Sequence, residues 1–207
     1  MPVRARRAPA RHGGRSATVT CRTKETDIRV DVKLDGQGRY DVKTGIPFLD
    51  HMLEILARHG LFDLTVRASG DLDVDYHHTV EDVGLVLGQA LRDALGDKAG
   101  IRRFGEATVP LDEALVSTVI DLSGRPFLAY EVKIEQAKIG AFDVELIHDF
   151  LLALANQVGM NLHVRMAAGR NPHHIVEATF KSLARALDVA TQRDPRVHGV
   201  LSTKGSL

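Results

Sequence analysis

Residues 173–190 read HHIVEATFKSLARALDVA, and their opening His173-His174-Ile175-Val176-Glu177 replays His77-His78-Thr79-Val80-Glu81 at an offset of 96 (77 to 173). Ala90-Leu91 and Ala186-Leu187 keep that offset to the far end of both segments. Just upstream, Leu64-Thr65-Val66-Arg67 aligns with Leu162-His163-Val164-Arg165 at an offset of 98 (64 to 162), so the loop between the two motifs is shorter in the second copy. A period this long signals duplication of a whole supersecondary half, not the short repeat of a solenoid.

The segments around these motifs follow the same order twice. Residues 17–34 (ATVTCRTKETDIRVDVKL) are β-branched and alternating, which predicts strands. Asp35-Gly36-Gln37-Gly38 makes a turn, residues 40–43 resume extended chain, and Pro47 opens a helix. In that helix Phe48, Leu49, Met52, Leu53 and Leu56 recur at helical spacing, with Gly60 as the expected stop. A strand at 64–67 and a helix over 77–95 complete the first half. The second half offers strands at 114–122 and 127–134 around the turn Ser123-Gly124-Arg125-Pro126. It continues with a helix over 144–158 ended by Gly159, a strand at 162–165 and the helix 173–190. This predicts an α+β fold of two halves, residues 17–98 and 99–193, each with antiparallel strands and two helices on one face, packed about a pseudo-twofold. Residues 194–207 follow as a C-terminal segment, and residues 1–16 are expected to be a disordered basic tail.

Composition narrows the function. Lys plus Arg and Asp plus Glu both number 27 in 207 residues, but residues 1–16 hold five Arg and no acid, leaving 22 basic against 27 acidic residues in the body. A mildly acidic body argues against nucleic acid as a partner, because phosphate backbones demand a basic face. No apolar run reaches bilayer-spanning length, and the Arg-rich start lacks the apolar core of a secretory signal, so neither membrane nor export is expected. Cys21, the single cysteine, excludes internal disulfides and thiolate-cluster metal sites and reads as a small hydrophobe in a strand. The expected setting is cytoplasmic.

The ten histidines are the outlier, and their placement suggests metal. On a helix His77 and Glu81 share a face, while His78 is turned roughly 100° away. Adjacent histidines therefore serve two ions on different sides more readily than one. The same holds for His173, His174 and Glu177, where Asn171-Pro172 supplies a helix start. Each half then contributes to both of two sites. Imidazole plus carboxylate without thiolate suits Mn, Fe, Co, Ni or Zn, and six-coordination favours Mn or Fe. A lone histidine on a helix is ordinarily a surface or capping residue; two matched pairs at equivalent repeat positions are not.

These motifs carry a resemblance. FLDHML at 48–53, DYHHTVEDVG at 75–84, DLSGRP at 121–126, NPHHIVEATFKSLARAL at 171–187 and STKG at 202–205 resemble the imidazoleglycerol-phosphate dehydratases of histidine biosynthesis, in consistent order over residues 18–207. The resemblance implies a duplicated ribosomal S5 domain 2-like fold, two manganese ions per active site, and a 24-mer with sites at subunit interfaces. The chain length leaves no room for a fused histidinol-phosphatase domain, so the monofunctional form is expected. Carried over position by position, the metal ligands are His51, His77, His78, Glu81, His173, His174 and Glu177. The expected partition sets His77, Glu81 and His173 on one ion and His51, His78, His174 and Glu177 on the other. The family often has a histidine in the third helix where register places Asp149 here, with His148 one residue earlier as the alternative ligand.

The resemblance further implies a phosphorylated imidazole substrate bound by Arg103, Arg125, Lys181, Ser202 and Lys204, with Glu25 beside it. Guanidinium forks and ammonium charges suit a phosphate dianion, although Arg125 and Lys181 taken alone read as a turn decoration and a solvated helix charge. His59 and His163 read as structural. The implied reaction dehydrates D-erythro-imidazoleglycerol phosphate to imidazole-acetol phosphate. The electron sink within reach is an imidazole rather than a carbonyl, so two cations on the ring nitrogens would stabilise an imidazolate. Glu25 or Glu177 is the expected proton-transfer group. Two rivals are a di-metal phosphoester hydrolase and a non-enzymatic metal store. The first normally needs more bridging carboxylates, and the second gives no reason for a cationic phosphate set.

Overall fold

The computed structural model describes residues 6–7 and 14–207. Strands β1 (Arg6–Arg7), β2 (Ser16–Arg22), β3 (Thr26–Lys33), β4 (Tyr40–Lys43) and β5 (Asp63–Gly70) form one sheet in the order β1-β2-β3-β5-β4, with helices α1 (Pro47–Gly60) and α2 (His77–Leu95). The second half has β6 (Phe104–Leu111), β7 (Ala114–Asp121), β8 (Phe127–Glu131) and β11 (Asn161–Ala168) in the order β6-β7-β11-β8, with α3 (Leu146–Val158) and α4 (Pro172–Thr191). A small antiparallel pair, β9 (Lys138–Ile139) and β10 (Phe142–Asp143), lies between β8 and α3. Most of the expected tail lies outside the described residues. Within them, Arg6–Arg7 pair with β2, Ser16 opens that strand, and Arg15 is ion-paired with Asp35.

The duplication holds at the level of strand register. The pair Val30–Val66 between β3 and β5 recurs as Thr118–Val164 between β7 and β11, and Val42–Val66 recurs as Tyr130–Val164. The sheets are mixed rather than wholly antiparallel as expected, since β4 runs parallel to β5 and β8 parallel to β11. The cause is the connection: the chain returns through α1 or α3 to the end it left, and a strand–helix–strand crossover of that kind makes parallel neighbours. For the same reason residues 123–126 do not close a hairpin. β7 pairs with β6 and β11, while β8 crosses to the far side of β11.

Packing crosses between the halves. α2 lies on β2 and β3 but packs most heavily against α3, and α4 lies on β6 and β7 but packs against α1. Phe150 of α3 and Phe180 of α4, both fully buried, meet with ring centroids 5.5 Å apart, and a single apolar cluster runs through both halves. Cys21 is buried in β2 as expected, and burial raises its thiol pKa.

Helix ends fix the register of the residues that matter below. α1 does not stop on Gly60. That residue is still helical, bare because a Cβ there would stand 2.7 Å from the Phe62 ring, and the left-handed C-terminal position falls to Leu61 (φ 58°). Gly159 (φ 71°) ends α3 in the same conformation. Counting back ten residues from each, His51 on α1 is the counterpart of Asp149 on α3. At the other end, Asp50 Oδ1 accepts from the backbone N–H and the hydroxyl of Thr44 at 2.8 and 2.6 Å, tying the incoming loop to the first turn of α1. Asn171 caps α4 by accepting the His173 N–H at 2.9 Å.

Candidate metal and substrate site

Because α1 packs on α4, the first half delivers His51 to the two residues of the second half that share a helix face. His51, His173 and Glu177 offer one ligand atom each, all within 4.8 Å of one another. His173 Nε2 is 3.2 Å and His51 Nε2 3.5 Å from Glu177 Oε2. Lys181, one turn further along α4, holds the other oxygen of Glu177 at 2.7 Å. Burial opposes the negative charge of Glu177, but the Lys181 hydrogen bond and charge, backed by His173 and His51, hold its carboxyl below the usual range. Phe48 meets the His173 ring edge-on, with ring centroids 5.4 Å apart.

The symmetry-related grouping uses the other helix pair. His77 Nδ1 lies 3.4 Å from Asp149 Oδ2, and His77 Nε2 lies 3.9 Å from Glu81. Asp149, not His148, is therefore the α3 residue that faces α2. His148 sits beside Tyr130, ring centroids 5.6 Å apart, and its Nδ1 meets the other oxygen of Asp149, Oδ1, at 3.4 Å. Within one chain His173 joins His51 and Glu177, and His77 and Glu81 join Asp149. The α1–α4 and α2–α3 crossing, which no spacing in the sequence states, makes these groupings.

The second histidine of each pair faces a carboxylate instead. His78 Nδ1 is 3.0 Å from Asp71, and His174 Nδ1 is 2.8 Å from Glu113. Each hydrogen bond raises the pKa of its histidine. Glu113 is held down to about 2 by His174 and then by the backbone N–H of Asn171. Asp71 and Glu113 lie in turns and were absent from the sequence-based site; nothing in their spacing to the histidines signals contact. Glu25 stands on the exposed β2–β3 turn. Its carbonyl accepts the Asp71 N–H at 3.1 Å, and among the described residues its carboxylate carries no hydrogen bond.

The cationic residues separate into two places. Arg103, Arg125, Ser202 and Lys204 line a cavity of about 890 Å³ together with Arg196 and His198, whereas Lys181 belongs to the His51–His173–Glu177 group. Arg103, at φ 68°, makes a two-pronged pair with Asp121 (2.6 and 2.9 Å) and donates to the Leu201 carbonyl at 2.7 Å. It thereby fastens the C-terminal segment that presents Ser202 and Lys204. His59 ends α1, its carbonyl taken by Arg185 at 3.2 Å, and burial lowers its pKa. His163 lies exposed on β11 against Phe127, ring centroids 5.8 Å apart.

A duplicated α+β chain that gathers histidine and carboxylate at the starts of paired helices, with a cationic cavity apart from them, defines a class: enzymes acting on small phosphorylated molecules. The sequence model of the family described as imidazoleglycerol-phosphate dehydratase matches residues 44–187. The imidazoleglycerol-phosphate dehydratase of Geobacter sulfurreducens is 58% identical over 193 residues, covering 93% of this chain and 99% of its own. That of Geobacillus kaustophilus is 55% identical over the same coverage. The crystal structure of the Staphylococcus aureus enzyme superposes with a TM-score of 0.79 at 34% identity, covering 86% of this chain and 99% of that one. The Pyrococcus furiosus enzyme, in complex with (S)-C348, gives a TM-score of 0.79 at 41% identity, covering 91% and 99%. The chain belongs to the imidazoleglycerol-phosphate dehydratase family: a hydro-lyase that dehydrates imidazoleglycerol phosphate in histidine biosynthesis. Among the described residues no helix is long and apolar enough to cross a membrane.

Proposed function

We propose that the dehydration depends on two manganese ions per active site and that each site is assembled from more than one protomer of a large homo-oligomer, the 24-mer, in the cytoplasm. The observation that carries the metal reading is the convergence of His51, His173 and Glu177 ligand atoms within 4.8 Å. Imidazole and carboxylate without thiolate fit manganese. His77, Glu81 and Asp149 supply the related set, and His78 and His174 supply one further nitrogen each. When bound, manganese supplies Lewis acidity that stabilises negative charge developing on the substrate ring.

The assembly reading rests on a length. The cationic cavity is anchored where the Arg103 N–H donates to the Ala190 carbonyl, at the C-terminal end of α4, while His173 and Glu177 lie at its start. Residues 173–190 of a helix span about 26 Å at 1.5 Å per residue. A substrate of one five-membered ring and three carbons is far shorter than that. One protomer's cavity and its own His51–His173–Glu177 group therefore serve different substrate molecules, and a neighbouring chain completes each site.

The remaining chemistry falls to side chains. Arg125, Ser202 and Lys204 bind the phosphate, and Arg103 holds their segment in place. Glu177, already engaged by Lys181 and His173, acts as a ligand rather than a base. Glu25, near His78 and with no hydrogen bond to its carboxylate among the described residues, takes the proton from the middle carbon of the side chain, one removed from the ring. The C–H electron pair becomes the new C=C bond, the hydroxyl on the carbon next to the ring leaves with its electrons and is protonated to water, and the enol tautomerises to the ketone on the middle carbon.

Intersubunit complementation tests the assembly. His173→Ala and Lys204→Ala are each expected to be inactive as homo-oligomers, and co-assembled mixtures should recover activity because some interfaces then pair an intact cavity with intact histidines. Mixed assemblies no more active than either parent would refute shared sites. Metal counting on active wild type should give two manganese ions per site.

A further inference from the structure

The duplicated register assigns a partner to Glu25. The pair Arg22–Asp27 flanking the β2–β3 turn recurs as Pro110–Leu115 flanking the β6–β7 turn, so Lys24-Glu25 corresponds to Asp112-Glu113. The two halves thus carry a glutamate at the same turn position, each near the second histidine of its own half. Their surroundings differ. Glu113 Oε1 accepts the backbone N–H groups of Asn171 and Arg170 at 2.8 and 3.2 Å, and Glu113 Oε2 faces His174 Nδ1 at 2.8 Å. One carboxylate therefore clamps both the entry to α4 and the ring. In the first half that duty falls to Asp71, which faces His78 Nδ1 at 3.0 Å and has its other oxygen buried with no partner among the described residues.

A carboxylate accepting from Nδ1–H keeps a proton on that nitrogen and leaves Nε2 as the one that gives up its proton to a metal. Among the described residues the only carboxylate near His174 Nε2 is Asp112, at 3.9 Å, too far for a hydrogen bond. Resting on the metal reading above, we propose that Glu113 is a positioning residue that holds His174 with Nε2 free for an ion, and that its duplicate Glu25 is released for proton transfer because Asp71 took over the matching task at His78. An ancestral pair of equivalent glutamates has divided into one that orients a ligand and one that meets substrate.

Glu113→Gln separates the functions of the two oxygens. Its amide carbonyl keeps accepting from Asn171 and Arg170, but its NH₂ donates to His174 Nδ1 and drives the ring proton to Nε2. The experiment is Mn²⁺ binding to metal-free oligomer, read by the electron paramagnetic resonance of free Mn²⁺, with thermal melting of the same samples. For Glu113→Gln the affinity of one class of ion should fall about 10- to 100-fold with the metal-free melting point unchanged. Asp71→Asn should show a like loss through His78. Glu25→Gln should bind as wild type while kcat falls. Wild-type affinity in Glu113→Gln would overturn the positioning role, and so would unfolding of its metal-free form, which would make Glu113 merely structural. Wild-type protein that takes up no Mn²⁺ would overturn the metal reading beneath it and this inference together.

Discussion

Replacing Gly84 with alanine sets two opposing effects against each other, and the sign of the outcome tells which wins. Gly84 lies on the face of α2 that meets α3. A methyl there would stand 2.8 Å from the Phe150 carbonyl oxygen, 3.1 Å from the Ala153 methyl and 3.3 Å from the Phe150 ring. The nearest neighbour is helix backbone and cannot swing aside, so the helices must part by roughly half an ångström to regain normal contact. Overpacking of this kind costs about 1–3 kcal/mol. Helix propensity pulls the other way, favouring alanine by about 1 kcal/mol. The expected net effect is a loss of about 1 kcal/mol, or roughly 2–4 °C in a chain of this size. Gly88, one turn on, faces the Gln157 Cβ at 2.6 Å and the Leu154 carbonyl at 3.0 Å, so its alanine variant should act alike and less than additively with the first. The same movement widens the gap between His77 and Asp149, and kcat/KM should fall about tenfold, since misplacement of about 1 Å costs up to about 100-fold. Denaturant unfolding at fixed protein concentration gives the midpoint and slope. A midpoint that rises, as propensity alone demands, would refute the packing argument. A lower midpoint with undiminished kcat/KM would refute the link between helix spacing and the site.

Other consequences can be measured independently. Arg103→Lys loses the fork on Asp121 and the bond to Leu201, so KM for the phosphorylated substrate should rise about tenfold with kcat little changed; an unaltered KM would show that the C-terminal segment needs no such anchor. Phe180→Ala empties a fully buried site between the halves and should cost about 3–5 kcal/mol in chemical unfolding, with a smaller value showing that α3 and α4 collapse into the space. Asp194 is held well below the usual carboxylate range by the Arg196 hydrogen bonds and charge, with Arg102 behind. Its folded value lies below its unfolded one, so its contribution is complete above roughly pH 4 and is lost as pH falls through the folded value. The stability gap between wild type and Asp194→Asn should therefore shrink on acidification, and a pH-independent gap would contradict the assignment.

The repeat was legible because hydrophobic spacing and the matched His-His-x-x-Glu motifs are local properties. Periodicity gave all four helices nearly to their ends, since an amphipathic stripe repeats every turn. β6 escaped notice: Gly105 and Pro110 interrupt FGEATVPL, and only as an edge strand, zipped to β7, does it tolerate them. Gly60 misled as a stop because it is bare for the Phe62 ring, not for a turn. The parallel edges β4 and β8 were also out of reach, because strand direction depends on where a crossover returns.

By itself the sequence determined the duplication, the helices and the inventory of histidines, carboxylates and cations that the family's chemistry uses, because these follow from residue identity and spacing along one chain. Which members of that inventory meet was decided in three dimensions. Packing of α1 on α4 and α2 on α3 brings His51 to Glu177 and Asp149 to His77, and turn geometry brings Glu113 to His174. Those contacts join residues tens of positions apart, and burial of apolar helix faces against one another, not any local preference, selects them.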